Sequence, residues 1–375
     1  MTAPTPTGAR VQVREAVPED DAALRAIAAS CPMEGDITLC VTRDPGFFQL
    51  NRLEGRQWRV GVAEVDNRVV GCVMAATRST YLGGVERLTL YAGDLKVDAA
   101  TRGAGVADAL SKWVQRALRE MGGADAPIVL TILAGNSAME RRTSGRGGMP
   151  TFARFATVRA FNIPLLFPRA FTDDRLRVST ARRADMADMA ELWHRVAPTR
   201  QLAPVLTSAT LERLLSSAPG LDISDYRLAR DESGRLVGFL AWWDQMPLKQ
   251  MRVLRYSPRV RLARAMLNGA AAVTRGVPLP DVGELLRYCT AFNVCVPGEA
   301  PEVLRALVRA SYAELRAARY SFATIGLDVR DPLCAALGGL FAQPTDVHAY
   351  VCTAGGAYTG PSLADRPLHY EIALV

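Results

Sequence analysis

Asp94-Leu95-Lys96-Val97-Asp98-Ala99-Ala100-Thr101-Arg102-Gly103-Ala104-Gly105-Val106-Ala107 is the stretch around which the rest of the 375-residue chain can be arranged. It runs from the end of an apolar strand through an arginine-glycine turn into a long amphipathic helix. Val106, Leu110, Trp113, Val114, Ala117, Leu118 and Met121 recur at steps of three and four, which places them on one helical face. Gly122-Gly123 then stops the helix. Glycines at 103 and 105 tolerate positive φ and let a ligand approach the main chain. The first turn beyond them has N–H groups without intrahelical partners, at the positive end of the helix dipole. The stretch is therefore read as a cradle for an anion such as pyrophosphate. Asp108 stands where a dinucleotide-binding fingerprint needs its third glycine, so a Rossmann reading fails.

Composition narrows the remaining choices. The length allows two domains of ordinary size. With 49% hydrophobic and 22% charged residues the chain is expected to be globular. No run approaches the roughly 18 apolar residues of a membrane span, and residues 1–10 lack the pattern of a signal peptide. A short disordered tail on a cytoplasmic protein, with no membrane partner, is the expectation. The seven cysteines are scattered without a C-x-x-C pair, and there are only three histidines, so neither a disulfide framework nor a metal site is expected. The formal charge of +7, almost wholly from arginine, suits an anionic cofactor, an acidic substrate or nucleic acid, and fits a simple arginine-alanine bias equally well.

Along the chain, a strand at Val11–Arg14 precedes a helix that begins with Pro18-Glu19-Asp20-Asp21 and turns Leu24, Ile27 and Ala28 inward. A second helix is expected over Pro45–Leu53. Strands follow at Trp58–Glu64 and Val69–Thr77 around a turn at Asp66-Asn67, then at Glu86–Val97 and Ile128–Leu133. A short helix covers Asn136–Thr143, and a final strand or hairpin covers Thr151–Phe161. A linker is read at 166–175, after which the pattern restarts. Val178 echoes Val13 and Asp231 echoes Asp66, both 165 positions later, which suggests a duplication. The second copy carries a basic insert at 247–284, whose helix is expected to turn Val260, Ala263, Met266 and Leu267 inward with its arginines in solvent. Aromatic residues are nearly absent from it, so nucleic acid is not expected as a partner.

An acidic-start helix, paired strands and a strand running into Arg102-Gly103-Ala104-Gly105-Val106-Ala107 resembles the GNAT superfamily of N-acyltransferases, whose cofactor motif is Q/R-x-x-G-x-G/A. The resemblance covers about residues 11 to 165 well and the remainder weakly. It implies an α/β, three-layer α+β class with two GNAT-like domains, at 11–165 and 176–375, each a mixed, largely antiparallel sheet flanked by helices. It further implies an N-acetyltransferase that moves an acetyl or other acyl group from acetyl-CoA, or another acyl-CoA, to the amine of a small molecule or peptide, by direct attack in a ternary complex. On this reading Gly103, Ala104, Gly105, Val106 and Ala107, with Arg102, hold the pyrophosphate. Leu95, Lys96 and Val97 supply main-chain groups to the pantetheine arm, and Asn136 follows the next strand as it often does in the family.

An amine with a pKa of about 10 must lose a proton before attack. Asp94 is the candidate base, with a solvated surface carboxylate as the plainer reading and Glu86 as a weaker candidate. The tyrosine that many family members carry in the helix after the fifth strand is missing; either Tyr91 or Tyr81 donates a proton to the departing thiolate, or the coenzyme A thiolate leaves without a dedicated acid. The basic segment 141–148 reads either as a connecting turn or as a gate or phosphate contact. In the second copy Pro297, Glu299 and Pro301 fall opposite Gly103, Gly105 and Ala107, so that copy is expected to bind no cofactor. A non-catalytic acyl-CoA-binding or regulatory module is the alternative, and a homodimer stays open.

Overall fold

The computed structural model describes residues 10–165, 176–274 and 276–375. The expected linker at 166–175, and all but the last residue of the expected tail at 1–10, lie outside them. The first half contains β1 (Gln12–Glu15), α1 (Asp21–Ser30), β2 (Ile37–Thr42), α2 (Phe48–Asn51), β3 (Gln57–Val65), β4 (Arg68–Leu82), β5 (Val85–Val97), α3 (Val106–Gly122), β6 (Pro127–Leu133), α4 (Ser137–Arg142) and β7 (Ala153–Pro164). The second half contains β8 (Arg177–Thr180), α5 (Met186–Val196), α6 (Ser208–Ser217), β9 (Tyr226–Arg230), β10 (Leu236–Trp243), β11 (Gln250–Tyr256), α7 (Pro258–Thr274), β12 (Leu285–Leu286), β13 (Tyr288–Cys295), α8 (Pro301–Ala317), β14 (Phe322–Asp328) and β15 (Gln343–Thr353).

Helix α3 forms where the apolar periodicity places it. Val106, Leu110, Trp113, Val114, Ala117 and Leu118 are all buried, each large side chain contributing about 1.5–3 kcal/mol on burial. Gly123 then takes φ 81° and returns its N–H to Arg119 O at 2.8 Å, closing the helix. The helix lies close on the sheet because Gly71 of β4 has no side chain. A Cβ there would meet Lys96 O at 2.9 Å and both Val106 and Leu110 at 3.1 Å. On the opposite face Leu24, Ile27 and Ala28 of α1 pack with Val60, Val62, Met74 and Tyr91. The first half is thus helix, sheet, helix, and α8 and α5 sandwich the second half in the same way.

The two halves form one sheet. Its twelve strands run β1-β3-β4-β5-β6-β15-β7-β14-β13-β10-β9-β8, and only β5·β6 and β13·β14 pair in parallel. β15, from the second half, lies between β6 and β7, with Val351 opposite both Val129 and Ala153. β7, from the first half, lies against β14, with Ile325 opposite Phe161. The halves have exchanged their closing strands, so residues 11–165 and 176–375 share one continuous hydrogen-bonded ladder. A second sheet, β12-β11-β2, joins the basic insert to β2, a strand the sequence did not suggest. The helix expected over Pro45–Leu53 shrinks to the single turn of α2.

Candidate functional site

β5 and β6 pair only at Leu90↔Ile128 and Tyr91↔Val129 and then diverge, leaving a wedge between Ala92–Val97 and Leu130–Leu133. β5 bends at this point. Cys72 faces Lys96 while Met74 faces Gly93, so β5 carries one extra residue, a β-bulge. Asp94 sits in it with φ 54°, a left-handed conformation that aspartate tolerates better than most residues. Beyond the bulge the turn is tied back by Asp98 N–H to Val70 O at 2.8 Å. Gly103 and Gly105 then take φ values of 89° and 77°, and a Cβ built on either would meet nothing within 4 Å. The start of α3 therefore opens on unfilled space lined by main chain. Its one acidic residue, Asp108, is paired with Arg142 at 2.7 Å. Arg142 also reaches Ser111 Oγ and Gly147 O, each at 3.0 Å, which anchors the segment 141–148 to α3. A pyrophosphate and an extended arm would fit this cradle and wedge.

The structure brings Leu95, Lys96, Val97, Arg102, Gly103, Ala104, Gly105, Val106 and Ala107 along that path. Leu95, Val97 and Ala104 pack toward α3, whereas the Lys96 side chain joins Asp94 on the other face. Asn136 uses its side-chain oxygen to cap α4, accepting from Met139 N–H at 3.2 Å. Tyr81 turns away into the core around Trp193, and Glu86 lies opposite it at the far end of the β4–β5 hairpin.

On the α1 face of the wedge the sequence missed most of what is present. Arg43, in the loop after β2, pairs with Asp94 at 2.8 Å, and Lys96 pairs with the same carboxylate at 2.6 Å. Burial alone would favour the neutral acid, but the two cations outweigh it and hold the Asp94 carboxyl well below the usual carboxylate range. A carboxylate so committed is a poor proton acceptor, so this geometry speaks against the role of base and against a solvated surface carboxylate alike. Glu54 pairs with Arg78, whose guanidinium lies 3.9 Å over the Tyr91 ring. The Tyr91 hydroxyl is 3.3 Å from Thr131 Oγ1, and burial pushes its pKa up to about 12. A second phenol reaches the same threonine: Tyr370 Oη lies 3.5 Å from Thr131 Oγ1. It too is kept protonated by burial. Lys249, also buried, donates to Val375 O at 2.6 Å and holds the segment that carries Tyr370. No local signal marked Tyr370, because it arrives from 239 positions beyond Thr131.

The second half repeats the site with its space filled. Its bulge is on β13, which carries one extra residue opposite Phe239–Ala241 of β10, and there Asn293 takes φ 48°, the counterpart of Asp94. The Asn293 N–H donates to both carboxylate oxygens of Glu371 at 3.2 Å, and Asn293 Nδ2 donates to Glu371 Oε1 at 3.1 Å. Arg200, paired with Asp331, donates to Val296 O at 3.2 Å, the counterpart of Val97. The turn Pro297–Ala300 contains no left-handed glycine, and Pro301 opens α8. Among the described residues no cluster of side chains could hold a metal ion, and no helix is long and apolar enough to cross a membrane.

A bulged strand splayed from its parallel neighbour, with a glycine cradle opening a helix, defines the fold of the GNAT superfamily of N-acyltransferases; the first half carries all of these elements, and the second half repeats the bulge and the splayed pair without the glycine cradle. Neither a protein-family model nor a curated protein matches its sequence. Among solved structures it is similar to Saccharomyces cerevisiae N-myristoyltransferase with bound myristoyl-CoA, at TM-score 0.61 and 11% identity over 98% of this chain and 86% of that one. It is also similar to a GCN5-related N-acetyltransferase from Sphaerobacter thermophilus, at TM-score 0.57 and 14% identity over 92% and 96% of the two chains. A third likeness is to the glucosamine N-acetyltransferase region of a fungal multi-domain β-N-acetylglucosaminidase, at TM-score 0.60 and 14% identity over 92% of this chain and 38% of that one.

Proposed function

We propose that the protein is an acyl-CoA-dependent N-acyltransferase with one working site, in its first half. The observation that carries this reading is the wedge and cradle from Asp94 to Ala107, open where the second copy is closed by Glu371 and Arg200. The N–H groups at the start of α3 and around Gly103 and Gly105 bind the pyrophosphate. The edge of β5 at Leu95, Lys96 and Val97 pairs with the pantetheine arm as an added strand would. The thioester then lies beside the bulge. The second copy illustrates what a bulge N–H can do there: that of Asn293 binds an anionic oxygen of Glu371. The matching N–H of Asp94 is placed to stabilise the oxyanion formed when an amine attacks the thioester carbonyl. The C–N bond forms first and the oxyanion then collapses, breaking the C–S bond. The thiolate takes a proton from Tyr91 or Tyr370, both protonated at neutral pH. The tyrosinate is restored by the proton that the acylated nitrogen gives up, and the proton the ammonium sheds before attack passes to water.

Asp94 serves this site by holding Arg43 and Lys96 and by fixing the bulge. The acyl group is acetyl on this reading, and the acceptor is the amine of a small molecule or peptide. Release of free thiol from acetyl-CoA in the presence of an amine panel tests the reading. Tight acyl-CoA binding without turnover on any amine would favour a non-catalytic binding module instead.

A further inference from the structure

From Gln245 to Pro280 the chain contains no acidic residue, yet it carries seven lysines and arginines. Helix α7 lies in this stretch, against the small sheet and outside both halves of the large one. Its inner side is well tied down. Val260 packs with Val253, Tyr256 and Leu286. Arg264 pairs with Asp281 at 2.5 Å, and Asn268 clips Leu279 through both its oxygen and its amide. The outer side is the reverse of what a solvated helix presents. Leu262, Met266 and Val273 are 70%, 66% and 86% exposed. Their spacing of four and seven residues sets them in one stripe. Met266, expected inside from its spacing, is one of them. Arg259 and Arg261 flank the stripe, exposed and without an ion pair among the described residues. Of the nearby acids, Glu34 and Asp281 are engaged by Arg255 and Arg264, Glu284 accepts from the Asp281 N–H, and Asp36 lies beside Ser257 at the start of the helix.

We propose that α7 docks on an anionic lipid bilayer. It would lie along the surface for roughly 25 Å, with Leu262, Met266 and Val273 among the acyl chains and Arg259 and Arg261 at the lipid phosphates. An apolar stripe bordered by arginines, on a helix with no acid, is the pattern that interfacial binding requires. Charge selects this occupant over the others. A second copy of the chain would bring the same arginines face to face. Nucleic acid would meet the apolar stripe with no aromatic ring on the outer face for a base to stack upon. The proposal stands independently of the acyltransferase reading, since no residue of α7 belongs to the wedge or cradle.

Sedimentation of the full chain with vesicles tests it. Vesicles of phosphatidylcholine with phosphatidylglycerol should carry the protein down, and phosphatidylcholine alone or high salt should release most of it. Leu262→Glu with Met266→Glu should weaken binding at least about tenfold, and Arg259→Glu with Arg261→Glu should do the same. Thermal unfolding should be unchanged in both, because the altered side chains are exposed. Absence of native binding to the anionic vesicles overturns the proposal. Equal binding by the leucine-methionine variant, or vesicle-independent self-association abolished by Leu262→Glu, does so as well.

Discussion

Replacing Asp94 by Asn separates the two roles that its position allows. Asparagine is nearly the same shape and accepts the left-handed φ of 54°, so the bulge is not strained by the change. What disappears is the negative charge facing Arg43 at 2.8 Å and Lys96 at 2.6 Å. Removing one partner of a buried ion pair costs about 3–5 kcal/mol. Lys96 keeps some access to water, so the lower end, about 3 kcal/mol, is expected here. At about 2.1 cal/mol/K of unfolding entropy per residue, a chain of 375 residues shifts by about 1.3 °C per kcal/mol, so the melting temperature should fall by roughly 4 °C. Asp94→Ala should lose about 1–2 kcal/mol more, because alanine fits the left-handed region poorly. The pH dependence has a definite sign. The folded carboxyl is held below its unfolded value, so its contribution is complete above a pH of about 4 and is lost as the pH falls further toward the folded value. Urea denaturation of both forms should show a wide gap at neutral pH that narrows on acidification. Equal stability, or a gap independent of pH, would refute the charge-holding role. A variant of native stability and acyl-CoA affinity that lost only the acidic limb of kcat/KM would return Asp94 to the role of base.

Tyr91→Phe and Tyr370→Phe should each lower kcat modestly, and the double variant should lower it about a hundredfold with KM nearly unchanged, as loss of a proton donor does; steady-state kinetics would show this. Glu371→Ala should leave the buried Asn293 amide unpaired and cost about 1–3 kcal/mol in denaturation. Calorimetry should still find one acyl-CoA per chain in that variant, because Arg200 and the turn at Pro297–Pro301 continue to close the second copy.

The parts of the fold that were legible before the structure are those specified locally. The stripe from Val106 to Leu118 sets α3, the glycines at 103 and 105 set the cradle, and the echo of Val13 in Val178 sets the repeat. The exchange of β7 and β15 was not legible. Residues 151–161 read as a strand, but which edge a strand joins depends on competition among distant partners rather than on its own alternation. The side of the wedge that faces α1 was hidden for the same reason. Arg43, Thr131, Lys249 and Tyr370 lie on four separate segments and are neighbours only once the two halves interlock. Asp94 was singled out, but its ion pairs were not legible, since the cations that depress its pKa come partly from the loop after β2. Met266 was placed inward with Val260, Ala263 and Leu267 because three- and four-residue steps join them, and period alone does not say which face the protein covers.

The central claim is that acyl transfer runs through the cradle that opens α3. Free-thiol release from acetyl-CoA, measured on the native chain and on Gly105→Glu across an amine panel, tests it most directly. Amine-dependent turnover is expected in the native protein. Loss of both turnover and cofactor binding is expected in the variant, whose fold persists because the space at Gly105 is open and the left-handed φ of 77° costs a side chain only about 1–2 kcal/mol. Turnover in Gly105→Glu equal to that of the native chain would contradict it.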